Sequence, residues 1–386
     1  MDSRQLARVK NLYIATAIIW LSSSIGIVCF TGACYIYTWI RYPKPAVVSH
    51  PYSPHARASA LHTLSPSAAA SLFREFDRLE TSRMYVYQPW VEFSERVFHS
   101  PLLNIDQAEP LPTRRTVEPA NGAANNRTIW LFGGSTQFGW GVPDNQTIAS
   151  HLSAILSTDS THYTVINHGH TSFYSSQEAM LFETLLRHGH KCDIGVFLDG
   201  LNECELSQDD LPKLTHGTSD AFLKEEDVAA ENYVIITPLF PPVRVLNGLL
   251  RRLVPTSSRQ ANQESEPLPP TKYDRVAMYR FNMSVIQDIA EKQDIHVSFY
   301  WQPTSFDYIA GAEQRRKDLP TFAKIPSLNV AVRQNIKIGS FHFIADMFKE
   351  NSYEETYVDW GHYGDEGSLR VAQAIADGLK NDGLLR

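Results

Sequence analysis

Four short segments of this chain carry residue types that could act together as a nucleophile, its base and a set of hydrogen-bond donors. The first is Phe132-Gly133-Gly134-Ser135-Thr136, where two glycines permit a tight turn that exposes the Ser135 hydroxyl and its backbone N–H. It departs from the G-x-S-x-G elbow of α/β-hydrolases, because Gln137 holds the final position. The second is Asn167-His168-Gly169-His170, in which Gly169 lets the backbone approach a ligand and offer an N–H. The third is Asp199-Gly200-Leu201-Asn202-Glu203, with the Asn202 amide as a donor. The fourth is Asp359-Trp360-Gly361-His362. An Asp three residues ahead of a His on one loop can fold back to accept from Nδ1–H, which leaves Nε2 as a base.

Each segment also has a plainer reading: an ordinary Gly-Gly-Ser turn, a turn asparagine capping its own loop, a solvated loop histidine. His168 and His170 could share one face of a strand, and a second His-Gly-His stands at 188–190, which raises a metal. No carboxylate or thiolate at ligand spacing completes such a set, so neither metal nor cofactor is expected.

The four segments gain meaning from the elements that precede them. Thr128–Phe132 is a short apolar run, Asp144–Leu156 has apolar residues at helical spacing, and Tyr163–Ile166 reads as the next strand. Ser175 and Glu178 have capping-box spacing ahead of a helix, and Ile194–Leu198 is a continuous apolar run of the kind buried in a parallel sheet. After an interruption the alternation resumes with a helix at 274–292, a strand His296–Trp301, a helix near 327–338, a strand Phe341–Ile344 and a last helix 368–380. Alternation at this pitch gives βαβ units, and all four segments then fall beyond carboxyl ends of strands or in a late loop, where open α/β sheets build their sites.

These blocks in this order resemble the SGNH (GDSL-type) hydrolases over roughly residues 128–380. The resemblance implies a three-layer α/β/α sandwich with a mostly parallel, flavodoxin-like sheet. It assigns Ser135 as nucleophile and Asp359 and His362 as its partners, with an oxyanion hole from Ser135, Gly169 and Asn202. Gly134 stands where the commoner pattern has Asp, and Glu203 where Asp usually follows the Asn. Gly-Gly-Ser-Thr versions resemble a membrane-anchored subset.

The rest of the chain is organised around that domain. Residues 11–40 contain no Asp, Glu, Lys or Arg, and thirty residues of helix span about 45 Å, enough for a hydrocarbon core of ~30 Å. One transmembrane helix is expected at 13–37, with 1–12 cytoplasmic. Arg4, Arg8 and Lys10 before it, against Arg41 and Lys44 after it, place the C-terminal domain on the extracytoplasmic side. A tether is expected at 38–64, rich in Pro, Ser, Ala and His. A helical and aromatic-rich arm follows at 65–127, with a helix starting at Ser65 to Ser67 and the aromatic stretch 84–98 packed on the domain. The catalytic domain is 128–386, with an insertion at about 206–272 whose SSRQANQESEPLPPT stretch is too polar to bury.

Composition limits the partners. A net charge of −7 gives no basic field for nucleic acid, and four Cys in 386 residues do not make a disulfide scaffold. Cys192 and Cys204 are expected as packed thiols, because the intervening strand carries them too far apart to bridge. The expected function is hydrolysis of an acyl or acetyl ester of a small molecule, an envelope glycan or a lipid through an acyl-enzyme. Two alternatives remain open: transfer of an acyl group to a cell-surface glycan, and a catalytically silent anchored module that binds glycan or protein.

Overall fold

The computed structural model describes residues 3–41, 58–82, 84–120, 125–158, 160–205 and 274–385. The expected insertion at 206–272 lies outside the described residues. The chain divides into two compact units, one comprising 1–48 with 221–271 and the other 49–220 with 272–386.

In the first unit, helix α1 runs Ser3–Arg41, longer at both ends than the expected 13–37. Its segment Lys10–Ala33 has mean hydropathy 1.9 and none of it is buried, so by length and composition it can cross a membrane. The described helix ends two residues before Pro43, a residue that disfavours helical backbone at the position preceding it.

The second unit is built on an eight-stranded sheet in the order β10-β9-β8-β6-β7-β5-β4-β3. Five of its strands are parallel: β6 (Asn125–Gly133), β7 (Thr161–Gly169), β8 (Ile194–Asp199), β9 (His296–Trp301) and β10 (Phe341–Phe343). Numbered among themselves they run 2-1-3-4-5, the flavodoxin-like winding, which reverses direction at β6 and opens a crevice beyond its carboxyl end. β8 is buried at every position, as its unbroken apolar run requires of a strand covered on both faces.

Helices cover both faces, which gives the expected three layers. On one side α5 (Ser175–Arg187), α7 (Arg275–Lys292) and α9 (Ile325–Asn335) enclose an aromatic core in which Phe132, Phe197 and Phe299 stack in register across three strands. On the other, α4 (Ile148–Leu156) and α11 (Asp365–Asn381) pack Leu152, Val371, Ile375 and Leu379 onto Ile129, Leu131, Val196 and Tyr300.

Of the expected tether at 38–64, residues 42–57 lie outside the described residues. Residues 58–64 belong to the domain: Ala60 and Leu61 are buried, and Thr63 N–H donates to Asp365 Oδ2 at 2.7 Å. Ser65 caps α2 (Pro66–Thr81) through its side chain, and α2 buries Leu72, Phe76 and Leu79 against Leu103, Phe138, Trp140 and Val358. Strands β3 (Phe98–His99), β4 (Asn104–Asp106) and β5 (Thr113–Arg114) then extend the main sheet, antiparallel from β7 outwards. The aromatic stretch forms a separate hairpin of β1 (Tyr85–Gln88) and β2 (Glu92–Glu95). Alternation alone does not reveal these additions, because strands of two to four residues hold too little pattern.

Candidate active site

Ser135 opens α3 (Ser135–Phe138), a single turn that leaves the end of β6 through Gly134. Opposite it, the segment 357–363 folds back on itself: Val358 N–H donates to His362 O at 2.9 Å, and Tyr357 bridges Tyr363. Asp359 is thereby held inside its own loop. Its Oδ1 accepts from the N–H groups of Gly361 and His362, both at 2.8 Å, and its Oδ2 lies 2.7 Å from His362 Nδ1. His362 Nε2 lies 2.8 Å from Ser135 Oγ. Three residues from two loops, 224 positions apart at their nearest, thus form one continuous hydrogen-bonded chain. Asp359 and His362 are both buried, which strengthens this chain by excluding competing water. The indoles of Trp140 and Trp360 flank the imidazole at 6.3 and 5.6 Å between ring centroids.

Asn202 reaches the same place from the end of β8, at the start of α6 (Asn202–Glu205). Its Nδ2 donates to Phe173 O at 2.5 Å and lies directly over Gly134. Glu203 fixes this turn, with Oε2 accepting from Gly200 N–H at 2.8 Å and Oε1 from Ser175 N–H at 2.9 Å. The turn and the first residue of α5 are therefore tied to one carboxyl group.

Gly169, expected as an oxyanion donor, is hydrogen-bonded within the protein. Its N–H donates to Asn167 Oδ1 at 2.9 Å, and Asn167 Nδ2 donates to Gln137 O at 3.1 Å. A Cβ on Gly169 would lie 2.5 Å from Phe138 N, so the glycine is there to let α3 pack flat on the end of β7. In this structure the Gly169 N–H is thus directed at Asn167.

The paired histidines also diverge. His168 is buried and stacks on Phe132 at 5.3 Å, and burial pushes its pKa down to about 3. His170 lies beyond the end of β7, with Nδ1 2.6 Å from Glu95 Oε2. They do not share a face, because the strand ends between them. Among the described residues no group of three or more His, Cys, Asp and Glu is arranged to hold a metal. Cys192 and Cys204 are both buried and not disulfide-bonded.

The expected capping box at Ser175 and Glu178 does not form, since Tyr174 is the cap residue and Glu178 faces inward. Glu178, Asp199 and Glu203 lie together in the interior, with Tyr279 beside Asp199. Burial and mutual repulsion hold Glu178 and Asp199 well above the usual carboxylate range, and burial raises Glu203 despite its backbone hydrogen bonds.

Sequence reasoning missed several supporting residues. Gln302 Oε1 accepts from Thr136 Oγ1 at 2.7 Å and from Tyr363 OH at 3.0 Å, joining the two loops that carry Ser135 and His362. Its one signal is its position immediately after an apolar strand, at a carboxyl end.

No protein-family model matches this sequence, and no curated protein matches it significantly. Solved structures with some similarity include a GDSL-like lipase from Bacteroides thetaiotaomicron, 13% identical over 66% of this chain and 89% of that one, with a TM-score of 0.34. An acetylxylan esterase from Geobacillus stearothermophilus, solved as a catalytic mutant, is 10% identical over 68% of this chain and 96% of that one, with a TM-score of 0.37. A member of the G-D-S-L lipolytic family from Veillonella parvula is 10% identical over 65% and 96%, with a TM-score of 0.34. At these values the similarities identify neither a substrate nor the role of any residue.

Proposed function

We propose that this chain is an SGNH-type serine esterase. The observation that carries the reading is the unbroken chain Ser135 Oγ, His362 Nε2, His362 Nδ1, Asp359 Oδ2, with separations of 2.8 and 2.7 Å. His362 removes the proton from Ser135 as Oγ attacks the ester carbonyl, and Asp359 holds the imidazole in the required tautomer and balances the imidazolium that forms. Negative charge develops on the carbonyl oxygen. The Ser135 N–H and the Asn202 amide are the donors best placed to meet it, each such donor being worth on the order of 10²–10³ in kcat. His362 then protonates the leaving alcohol, and the same imidazole activates the water that releases the acid from Ser135.

The substrate class we infer is an acyl or acetyl ester on an envelope glycan or lipid. It is supported by the apolar helix Lys10–Ala33, which we take as an anchor, and by the basic residues that favour an extracytoplasmic domain.

The test is labelling of the detergent-solubilised full chain with a fluorophosphonate, together with turnover of p-nitrophenyl acetate. Wild type should label and turn over, and Ser135→Ala should do neither. Equal labelling of the two would remove Ser135 as the nucleophile, and an unlabelled wild type would overturn the esterase reading.

A further inference from the structure

The hairpin β1–β2 lies outside the parallel sheet, yet it grips the loop that follows β7. The grip centres on Glu95, which is 1% exposed. Its Oε2 lies 2.6 Å from His170 Nδ1, and its Oε1 accepts from Thr171 N–H at 2.6 Å and from Thr171 Oγ1. Tyr85 OH adds a hydrogen bond to Thr171 Oγ1 at 2.8 Å, and Gln177 Nε2 donates to Val91 O at 3.0 Å. Phe93 packs edge-on against Phe173 at 5.5 Å. A carboxylate this deep is costly unless its oxygens are satisfied, and three donors satisfy this one. Burial alone would raise its pKa, and the charge and hydrogen bond of His170, with the bonds from Thr171, bring it below the usual range.

The gripped loop ends at the acceptor for Asn202. Phe173 O receives one of the two N–H groups of the Asn202 side chain. An amide NH₂ holds its two donors in one plane, so fixing one of them fixes where the other points. The second N–H is the one available to a substrate oxygen beside Ser135. Its aim therefore depends on where Phe173 O is held, and that depends on His170 and Thr171.

We propose that Glu95 is a positioning residue for the Asn202 amide, acting through His170, Thr171 and the Phe173 carbonyl. This inference rests on the esterase reading, since it concerns how that reaction's oxyanion donor is aimed. Pre-organised donors lose their value when displaced by fractions of an ångström, so loosening the clamp should reduce turnover and leave ground-state binding alone.

The experiment is a double-variant cycle on the full chain in detergent, read as kcat and KM for p-nitrophenyl acetate. Glu95→Gln keeps an oxygen for Thr171 and removes the charge that faces His170. It should lower kcat about tenfold with KM within about twofold, against the loss of about 10²–10³ for Asn202→Ala. In the Asn202→Ala background, Glu95→Gln should have no further effect. A merely structural role would reduce activity by the same factor in both backgrounds, and that result, or an unchanged kcat in the single variant, overturns the proposal.

If Glu95→Gln fails to fold, Thr171→Val removes the two clamp hydrogen bonds of the Thr171 hydroxyl, to Glu95 and to Tyr85, with little change of shape. It should lower kcat about threefold, again only where Asn202 is present. Tyr87→Ala, on the exposed side of the same hairpin, should leave both constants unchanged. A wild type that neither labels nor turns over would overturn the esterase reading and this inference with it, whereas an active wild type with independent variants overturns this inference alone.

Discussion

The Asn202 side chain occupies the space that any side chain at residue 134 would need: a Cβ on Gly134 would lie 2.2 Å from Asn202 Nδ2 and 3.1 Å from Phe173 O. The glycine before Ser135 is therefore a requirement of the asparagine's approach in this chain.

Gly134→Ala should accordingly disable the site with the fold intact. The closest contact is with the end of a side chain, so the methyl group is accommodated by displacing Asn202 and by a shift of a few tenths of an ångström at Phe173 O. The expected loss is that of one oxyanion donor, on the order of 10²–10³ in kcat. Circular dichroism should be unchanged and fluorophosphonate labelling slowed in proportion. Full activity in Gly134→Ala would mean that Asn202 is not a donor.

The buried carboxyl groups set a pH dependence of stability. Glu178 and Asp199 have folded-state pKa values raised well above their ordinary ones, and Glu203 is raised as well, so the folded state holds protons that the unfolded state releases. Their stabilising protonation is fully present below the unfolded values of about 4 and is lost as pH rises through the folded values, with a slope of about 1.4 kcal/mol per pH unit for each proton. The melting temperature should therefore fall as pH rises from 5 towards 9. Glu178→Gln removes one ionisation and should flatten the fall; an equally steep profile in this variant would show that Glu178 does not hold a proton.

The strands that precede the parallel core are fastened by one buried ion pair. Arg114, whose side chain is fully buried, donates to Asp144, which also accepts from Asn104 N–H at 3.0 Å and from Asn104 Nδ2 at 2.6 Å. Asp144→Ala would leave a guanidinium buried without its partner, at a cost of about 3–5 kcal/mol. Denaturant unfolding should show that loss, and the double variant Arg114→Met with Asp144→Leu should recover part of it. A loss under about 1 kcal/mol would place the fastening elsewhere.

How much of this was legible beforehand differed by element. Strand β9 was readable to the residue as His296–Trp301, and α7 to within one, because long apolar or periodic runs announce their own class. The sheet strands of the arm were not, since they are two or three residues long and owe their existence to neighbours already in place. Capping-box spacing at Ser175 and Glu178 misled for a related reason: Glu178 satisfies the local rule, but the carboxyl groups of Asp199 and Glu203 and the surrounding core draw it inward.

The sequence by itself determined the βαβ alternation and the uncharged helix near the N-terminus, and marked Ser135, Asn202, Asp359 and His362 as candidates, because apolar period and residue chemistry are local properties. Only the tertiary structure decided the hydrogen-bond partners of these groups. Gly169 and Asn202 read alike as donors, and folding directs the Gly169 N–H at Asn167 and sets the Asn202 amide over Gly134, bonded to Phe173 O. Glu95 carried no motif at all. Its place in the site comes from a hairpin folding onto a loop 75 residues further along the chain, and contacts across that separation follow from packing that no local pattern records.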